Sequence, residues 1–155
     1  ITQSGIEKAV NLAHQTLLDA GVTEPRIAVA ALNPHAGDGG NFGTEEIDTI
    51  GPAVTSLQQK GFPVQGPFPA DTVFVRTTRG DFDAVVTMYH DQGQIALKLL
   101  GFDRGVTVLG GLPIPITTPA HGTAFDIAGK GVASVDALKE AWNLLTNMVT
   151  SRLVA

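Results

Sequence analysis

Cysteine is absent from all 155 residues, so disulfides and thiolate chemistry are excluded and any metal site must draw on His, Asp or Glu. Charge is also sparse. Charged residues make up 16% of the chain, against about 25% in an average globular domain, which points to part of the surface being covered by another domain or subunit. The net charge is −5 and the Lys and Arg residues are scattered, so a nucleic-acid surface or an anionic-membrane surface is not expected. No apolar run approaches the roughly 18 residues of a membrane span. The opening ITQSGIEKAV lacks the basic-then-apolar order of a secretory leader, so a cytoplasmic location is expected. It also lacks Met, and a cut fragment is expected on that ground.

What remains is 43% apolar, with 18 Gly and 9 Pro: a globular, turn-rich composition able to offset chain entropy. Ile6, Val10, Ala13, Leu17 and Ala20 fall at helical spacing within 2–20, and Gly21 stops that helix. His14 beside this stripe reads as a packing or solvated residue. RIAVAAL (26–32) is a short apolar run suited to a strand buried on both faces. It empties into NPHAGDGGNFGTEE, where Thr44 is expected to cap a helix carrying Glu45 and Glu46 in its first turn. Gly51-Pro52 interrupts that helix, and 53–60 continues it or starts another. GFPVQGPFPADT reads as a loop or edge strand. DAVVTMYH (83–90) and GVTVLGG (105–111) read as further strands, with IPITT as a fourth. Ser134 is expected to cap a last helix whose apolar face is Leu138, Ala141, Leu144, Leu145, Met148 and Leu153. Buried strands alternating with helices indicate an α/β fold with an at least partly parallel sheet, whose ligands bind beyond the carboxyl ends of the strands.

Both polar clusters fall at such ends. His35 follows one strand and His90 another, so the two imidazoles are candidates to share a divalent cation; zinc, cobalt, nickel and iron suit such donors. Read from spacing alone, each is more readily a hydrogen-bonded loop residue, because two ligands do not fill a coordination sphere. Asp71 and Asp91 are carboxylates that would orient a ligand or relay a proton, with an Asx-type turn the plain alternative for Asp71. Lys98 lies eight residues past His90 on a helix starting near Gln92, as an anion anchor, an acid/base group or an ordinary solvated lysine. In TTPAHGTAFDIAGKG (117–131), small residues allow close approach of a flat or phosphorylated ligand, and His121 and Asp126 supply stacking or hydrogen bonding. No GxGxxG follows a strand, so a Rossmann fingerprint is absent.

Together NPHAGDGGNFGTEE, GPFPADT, MYHDQG followed by Lys98, and HGTAFDIAGKG resemble the PdxA family, the 4-hydroxythreonine-4-phosphate dehydrogenases of vitamin B6 biosynthesis. The last motif is also similar to the loop of isopropylmalate dehydrogenases. The resemblance implies an isocitrate/isopropylmalate dehydrogenase-like three-layer α/β/α fold with a mixed, partly parallel sheet. It implies an NAD-dependent enzyme, with NADP as the variant, acting as a homodimer whose active sites straddle the interface. A divalent metal is implied, zinc first and cobalt, magnesium, manganese or nickel as alternatives.

The family's metal site uses three histidines, and the resemblance places two of them at His35 and His90 and the third before Ile1. The chain therefore reads as the C-terminal half of a two-domain dehydrogenase, with 1–115 as the metal, substrate and dimerisation part and 116–155 as the return segment of the cofactor domain. By the same matching Asp71 and Asp91 lie beside the metal, Lys98 contacts substrate, and His121, Gly122, Thr123, Ala124 and Asp126 form the loop for NAD. Two departures bear on the substrate. Where the family has an asparagine and an arginine near the phosphate, this chain has Thr107 and Ile116.

Losing one charge-assisted bond, worth about 1.5–3 kcal/mol, weakens phosphate binding by roughly one to two powers of ten. The implied substrate is therefore 4-hydroxythreonine-4-phosphate or a relative, such as 4-phosphothreonate or an aromatic cis-dihydrodiol like that of terephthalate. A metal-dependent hydrolase or aldolase, and a non-catalytic half that binds metal or a partner, are the competing expectations.

Overall fold

The computed structural model describes residues 1–154, which form two compact units. The first comprises 1–18 and 22–94; the second comprises 19–21 and the described residues from 95 onward.

The first unit is built around the strand the apolar run demanded. β1 (Ile27–Ala30) has every residue buried, and it pairs in parallel with β2 (Val64–Phe68) on one side and β3 (Ala84–Val86) on the other. The pleat sends alternate residues to opposite faces. Ile27 and Val29 pack with Ile6 and Val10 of helix α1 (Gln3–Asp19) and with Val54 and Leu57 of α2 (Gly51–Gln59). Ala28 and Ala30 pack instead with Val73 of α3 (Val73–Thr78) and with Phe82. Helices thus cover both faces, and in such a fold ligands bind beyond the carboxyl ends of the strands. His14 sets its ring edge-on to Phe62 at 5.3 Å, the packing rather than the solvated alternative.

Several boundaries differ from the sequence reading. β2 takes the edge-strand alternative despite Gly66 and Pro67; a Cβ at Gly66, whose φ is +143°, would lie 2.5 Å from the Val29 carbonyl oxygen, so glycine is what lets the two strands close. β3 is shorter than 83–90, because helix α4 (His90–Gly101) already starts at His90 and draws the chain off the sheet. α3 has no counterpart in the sequence reading; VFVRTT is rich in strand formers and too short to show a helical period. The Thr44 side chain makes no cap bond. Its carbonyl accepts from Ile47 and Asp48, and the first turn, Glu46–Ile50, is π-helical before it runs into α2.

The entries to β1 and β3 are clipped together by an ion pair. Asp83 accepts from the Arg26 backbone N–H at 2.8 Å and from its guanidinium at 2.9 and 3.0 Å, while the Asp83 N–H donates to the Arg26 carbonyl. The guanidinium, then the backbone N–H, hold the Asp83 carboxyl below its ordinary value of 3.8. A depressed carboxyl contributes stability above its unfolded pKa, and that contribution disappears as pH falls through the folded pKa. Asp83→Asn is therefore expected to cost about 1 kcal/mol at neutral pH, part-screened by solvent. The deficit should shrink below pH 3.8, as read from urea midpoints across pH.

The second unit holds an antiparallel pair, β4 (Val106–Val108) and β5 (Thr117–Pro119), with Thr107 opposite Thr118. Helix α5 (Asp136–Val154) packs on it, and Ser134 Oγ accepts from the Asp136 N–H at 3.2 Å, the expected cap. The buried stripe of α5 is Ala137, Ala141 and Met148, which keeps Ala141 and Met148 of the expected face, adds Ala137, and leaves Leu138 58% exposed and Leu153 81% exposed. Thr117 Oγ1 donates to the Ala141 carbonyl at 2.8 Å. Arg152 ties the helix end to Asp19 at 2.6 Å and to the Pro113 carbonyl at 2.9 Å. No helix among the described residues is long and apolar enough to cross a membrane.

Candidate functional site

The strand order β2-β1-β3 puts three parallel carboxyl ends side by side. Each leads to one of the residues singled out in the sequence. Asp71 follows β2 by three residues, His35 follows β1 by five, and His90 follows β3 by four.

His35 sits in an unusual loop. His35, Ala36, Gly37, Asp38 and Gly39 all have positive φ, between 46° and 83°. Left-handed backbone costs about 1–2 kcal/mol per non-glycine residue, so the loop must be held by something outside it. Glu46 is that anchor. It is 6% exposed, and its Oε1 accepts from the Leu32 and Asn33 N–H groups, both at 2.8 Å, while Oε2 accepts from the Asn33 amide at 2.9 Å. Burial works to raise the Glu46 pKa, but the bonds from Asn33 and Leu32 outweigh it and hold the carboxyl below its ordinary value. A Cβ on Gly37 would meet Glu46 Oε2 at 2.8 Å, so the loop closes over the carboxylate only with glycine there. The His35 ring lies edge-on to Phe42 at 5.7 Å and is exposed.

His90 opens α4 with its ring largely exposed, and its Nδ1 lies 2.9 Å from Asp91 Oδ1. In the tautomer protonated at Nδ1 that N–H donates a hydrogen bond to the carboxylate, which leaves Nε2 as the lone-pair donor. The Asp71 carboxylate is exposed, and the turn around it is made by bonds to the Pro69 carbonyl from Thr72 and Val73 rather than by an Asx bond. Imidazole nitrogen with carboxylate oxygen suits a borderline divalent cation, so the donor chemistry fits a metal. Among the described residues no three ligating side chains converge, so these residues amount to part of a coordination sphere.

Two contributors escape the sequence reading. Glu46 reads there as a helix-end anion, although acids after a glycine-rich loop are equally placed to accept its backbone N–H groups. Gln92, inside MYHDQG, accepts from the Met88 N–H and donates to the Ala31 carbonyl, both at 2.9 Å.

Lys98, exposed on the last turns of α4, and the 121–126 loop belong to the second unit. There a concavity of about 390 Å³ is lined by Phe102, His121, Gly122, Ala124, Ile127 and Ser134. Its size is that of small-molecule sites. His121 Nδ1 lies 2.9 Å from the Gly122 carbonyl oxygen, and Ala124 takes a left-handed φ of 47°. Thr123 and Asp126 are exposed beside it. Thr107 is exposed on β4, and the half-buried Ile116 presents its carbonyl to the Leu109 N–H. An open apolar hollow with an exposed imidazole fits the flat part of a dinucleotide.

A parallel sheet covered by helices on both faces, with imidazole and carboxylate groups at adjacent strand ends, defines an α/β protein with a strand-end site. The chain belongs to the PdxA family: the profile described as pyridoxal phosphate biosynthetic protein PdxA matches residues 1–145. A relative from Rhizobium meliloti (strain 1021), provisionally named 4-hydroxythreonine-4-phosphate dehydrogenase 2, is 60% identical over 143 residues, 92% of this chain and 41% of that protein. The D-threonate 4-phosphate dehydrogenase of Cupriavidus necator is 50% identical over 148 residues, 95% of this chain and 44% of that protein. The crystal structure of 4-hydroxythreonine-4-phosphate dehydrogenase from Klebsiella pneumoniae superposes with a TM-score of 0.82 at 47% identity, over 96% of this chain and 45% of that one. The fold is accordingly isocitrate/isopropylmalate dehydrogenase-like. The chain spans less than half the length of these relatives.

Proposed function

We propose that this chain provides part of the active site of a metal-dependent, NAD-linked dehydrogenase that oxidises a hydroxyl-bearing substrate, with decarboxylation where the product is a 3-keto acid. The observation that carries this reading is that Asp71, His35 and His90 each follow one of three adjacent parallel strands within five residues of its carboxyl end, in a chain of this family.

His35 and His90 would hold the cation, with the remaining ligand supplied from outside these residues. When bound, a divalent cation lowers the pKa of a coordinated hydroxyl and stabilises a developing enolate. Asp91 orients the His90 ring through Nδ1, and Asp71, with no bond tying its carboxylate into the turn, is available to take a proton. Lys98 would attract the substrate's anionic end, and Thr107 would hydrogen-bond to it. The 121–126 loop would seat the nicotinamide carrier, with His121 as the stacking face and Gly122, Thr123, Ala124 and Asp126 around it. Use of NAD rather than NADP, zinc as the metal, assembly as a homodimer and a cytoplasmic setting belong to the same proposal.

The names of the relatives favour a phosphorylated hydroxy acid as substrate. Ile116 and Thr107 favour one held with less cationic help, or an unphosphorylated diol, because neither side chain carries charge.

The direct test is thermal stabilisation of the chain by NAD and by Zn²⁺ or Co²⁺, separately and together. A ligand that binds only the folded state raises the midpoint; at 100 times its Kd the gain is about 2.7 kcal/mol. Stabilisation by both is the expected outcome. Stabilisation by metal alone would favour a hydrolase or aldolase, and a shift with neither would overturn the proposal.

A further inference from the structure

We infer that Gln92 is a positioning residue that fixes the spacing between the His35 loop and the start of α4, which carries His90; the inference rests on the metal-site reading above and extends it. The side chain joins two strand exits. Its Oε1 accepts from the N–H of Met88, two residues before His90, and its Nε2 donates to the carbonyl of Ala31, four residues before His35, each at 2.9 Å. One group must therefore donate and accept at once, which among neutral side chains of this length only the glutamine amide does without rotating.

The surrounding bonds show why this link matters. Beyond β1, the Ala31 N–H goes to the Phe68 carbonyl on β2, and the Leu32 and Asn33 N–H groups go to Glu46. The Ala31 carbonyl is where this exit meets α4, and Gln92 holds that joint. Without it, α4 still starts at His90, but its first turn loses this polar tie to the strand exit that leads to His35. Both imidazoles are exposed, so their separation is set by the backbone beneath them. Two nitrogens that must each approach one cation to about 2.0–2.1 Å tolerate little drift in that separation.

Two variants separate this role from simple helix capping. Gln92→Met keeps the shape and loses both bonds. Gln92→Glu keeps the acceptor for Met88 and loses the donor to Ala31. Amide hydrogen exchange at residues 32–37 reports the joint without metal, and a Co²⁺ titration followed by the ring signals of His35 and His90 reports the site.

In the unaltered chain both rings are expected to respond to cobalt together. In both variants, exchange at 32–37 should speed up at least tenfold and cobalt affinity should fall about 10- to 100-fold, the range for groups that orient ligands. Gln92→Glu should match Gln92→Met although its helix cap is intact. Exchange at 32–37 unchanged in both variants overturns the inference, as does wild-type cobalt affinity in both. An unaltered chain whose rings ignore cobalt defeats the metal-site reading, and the exchange rates then decide the positioning role of Gln92 by themselves.

Discussion

Glu46→Ala is expected to lower the unfolding free energy by about 3 kcal/mol, a large share of what holds an ordinary domain together. The substitution strands the Leu32 and Asn33 N–H groups, and each buried donor left without a partner costs about 1–3 kcal/mol. The Asn33 amide is partly spared, because it also donates to Glu45 at 2.6 Å. Water entering the vacated space recovers some of the loss, which is why the figure lies below the full sum. Glu46→Gln should cost much less. Its remaining oxygen can serve both backbone donors, and the Asn33 amide keeps its bond to Glu45.

The pH response adds a second check. The Glu46 carboxyl is held below its ordinary value of 4.5, so it stabilises the fold above that pH and the contribution is lost as pH falls through the lower, folded value. Asp83 acts with the same sign. Urea titrations at pH 7 and pH 3 should therefore show the gap between the unaltered chain and the Glu46→Gln variant closing in acid. A gap that widened instead would contradict the anchoring role. A second consequence is local: without the anchor, three non-glycine residues in left-handed backbone lose what offsets their strain, and His35 should lose its fixed position.

How far the fold could be read from the sequence depended on what kind of force sets each element. β1 was legible because it is buried on both faces, and a strand so placed must be apolar at every position. β2 was ambiguous because Gly66 and Pro67 argue against a strand, while the structure needs glycine there for close contact with Val29. α5 shows a different limit. Residues 137, 141, 144 and 148 and residues 138, 142, 145, 149 and 153 both run at helical spacing, and the second set is larger and more apolar. Ala137, Ala141 and Met148 of the smaller set are buried, where β5 approaches the Ala141 carbonyl through Thr117, a tertiary fact that periodicity does not contain.

In the candidate site, the residues with distinctive chemistry were legible: His35, His90, Asp71 and Asp91 stand at the strand ends where the α/β pattern puts ligands. Glu46 and Gln92 were not, because their importance lies in which backbone atoms they reach across 13 to 61 residues of chain. A glutamate at a helix start and a glutamine in one are unremarkable one residue at a time.

His90→Ala is expected to reduce affinity for Zn²⁺ or Co²⁺ by about 100-fold or more while leaving the fold intact. The two halves of that expectation have separate grounds. The His90 side chain is 78% exposed and its partner Asp91 is itself 73% exposed, so its removal should change stability by no more than about 0.5 kcal/mol. Groups that only orient a ligand typically cost 10- to 100-fold in metal affinity when removed, and a residue donating the lone pair itself should cost at least as much. This sets up a graded comparison. Asp91→Asn keeps the ring but weakens the acceptor that fixes its tautomer, so its loss should fall within the 10- to 100-fold range and below that of His90→Ala. His35→Ala should resemble His90→Ala, and the double variant should lose less than the sum of the two, because residues sharing one ligand do not act independently. Calorimetric titration with either metal, alongside thermal melts without it, reads all four variants. Metal affinity unchanged in His90→Ala removes that histidine from the site, and strictly additive losses in the double variant would mean that the two imidazoles bind separate ions.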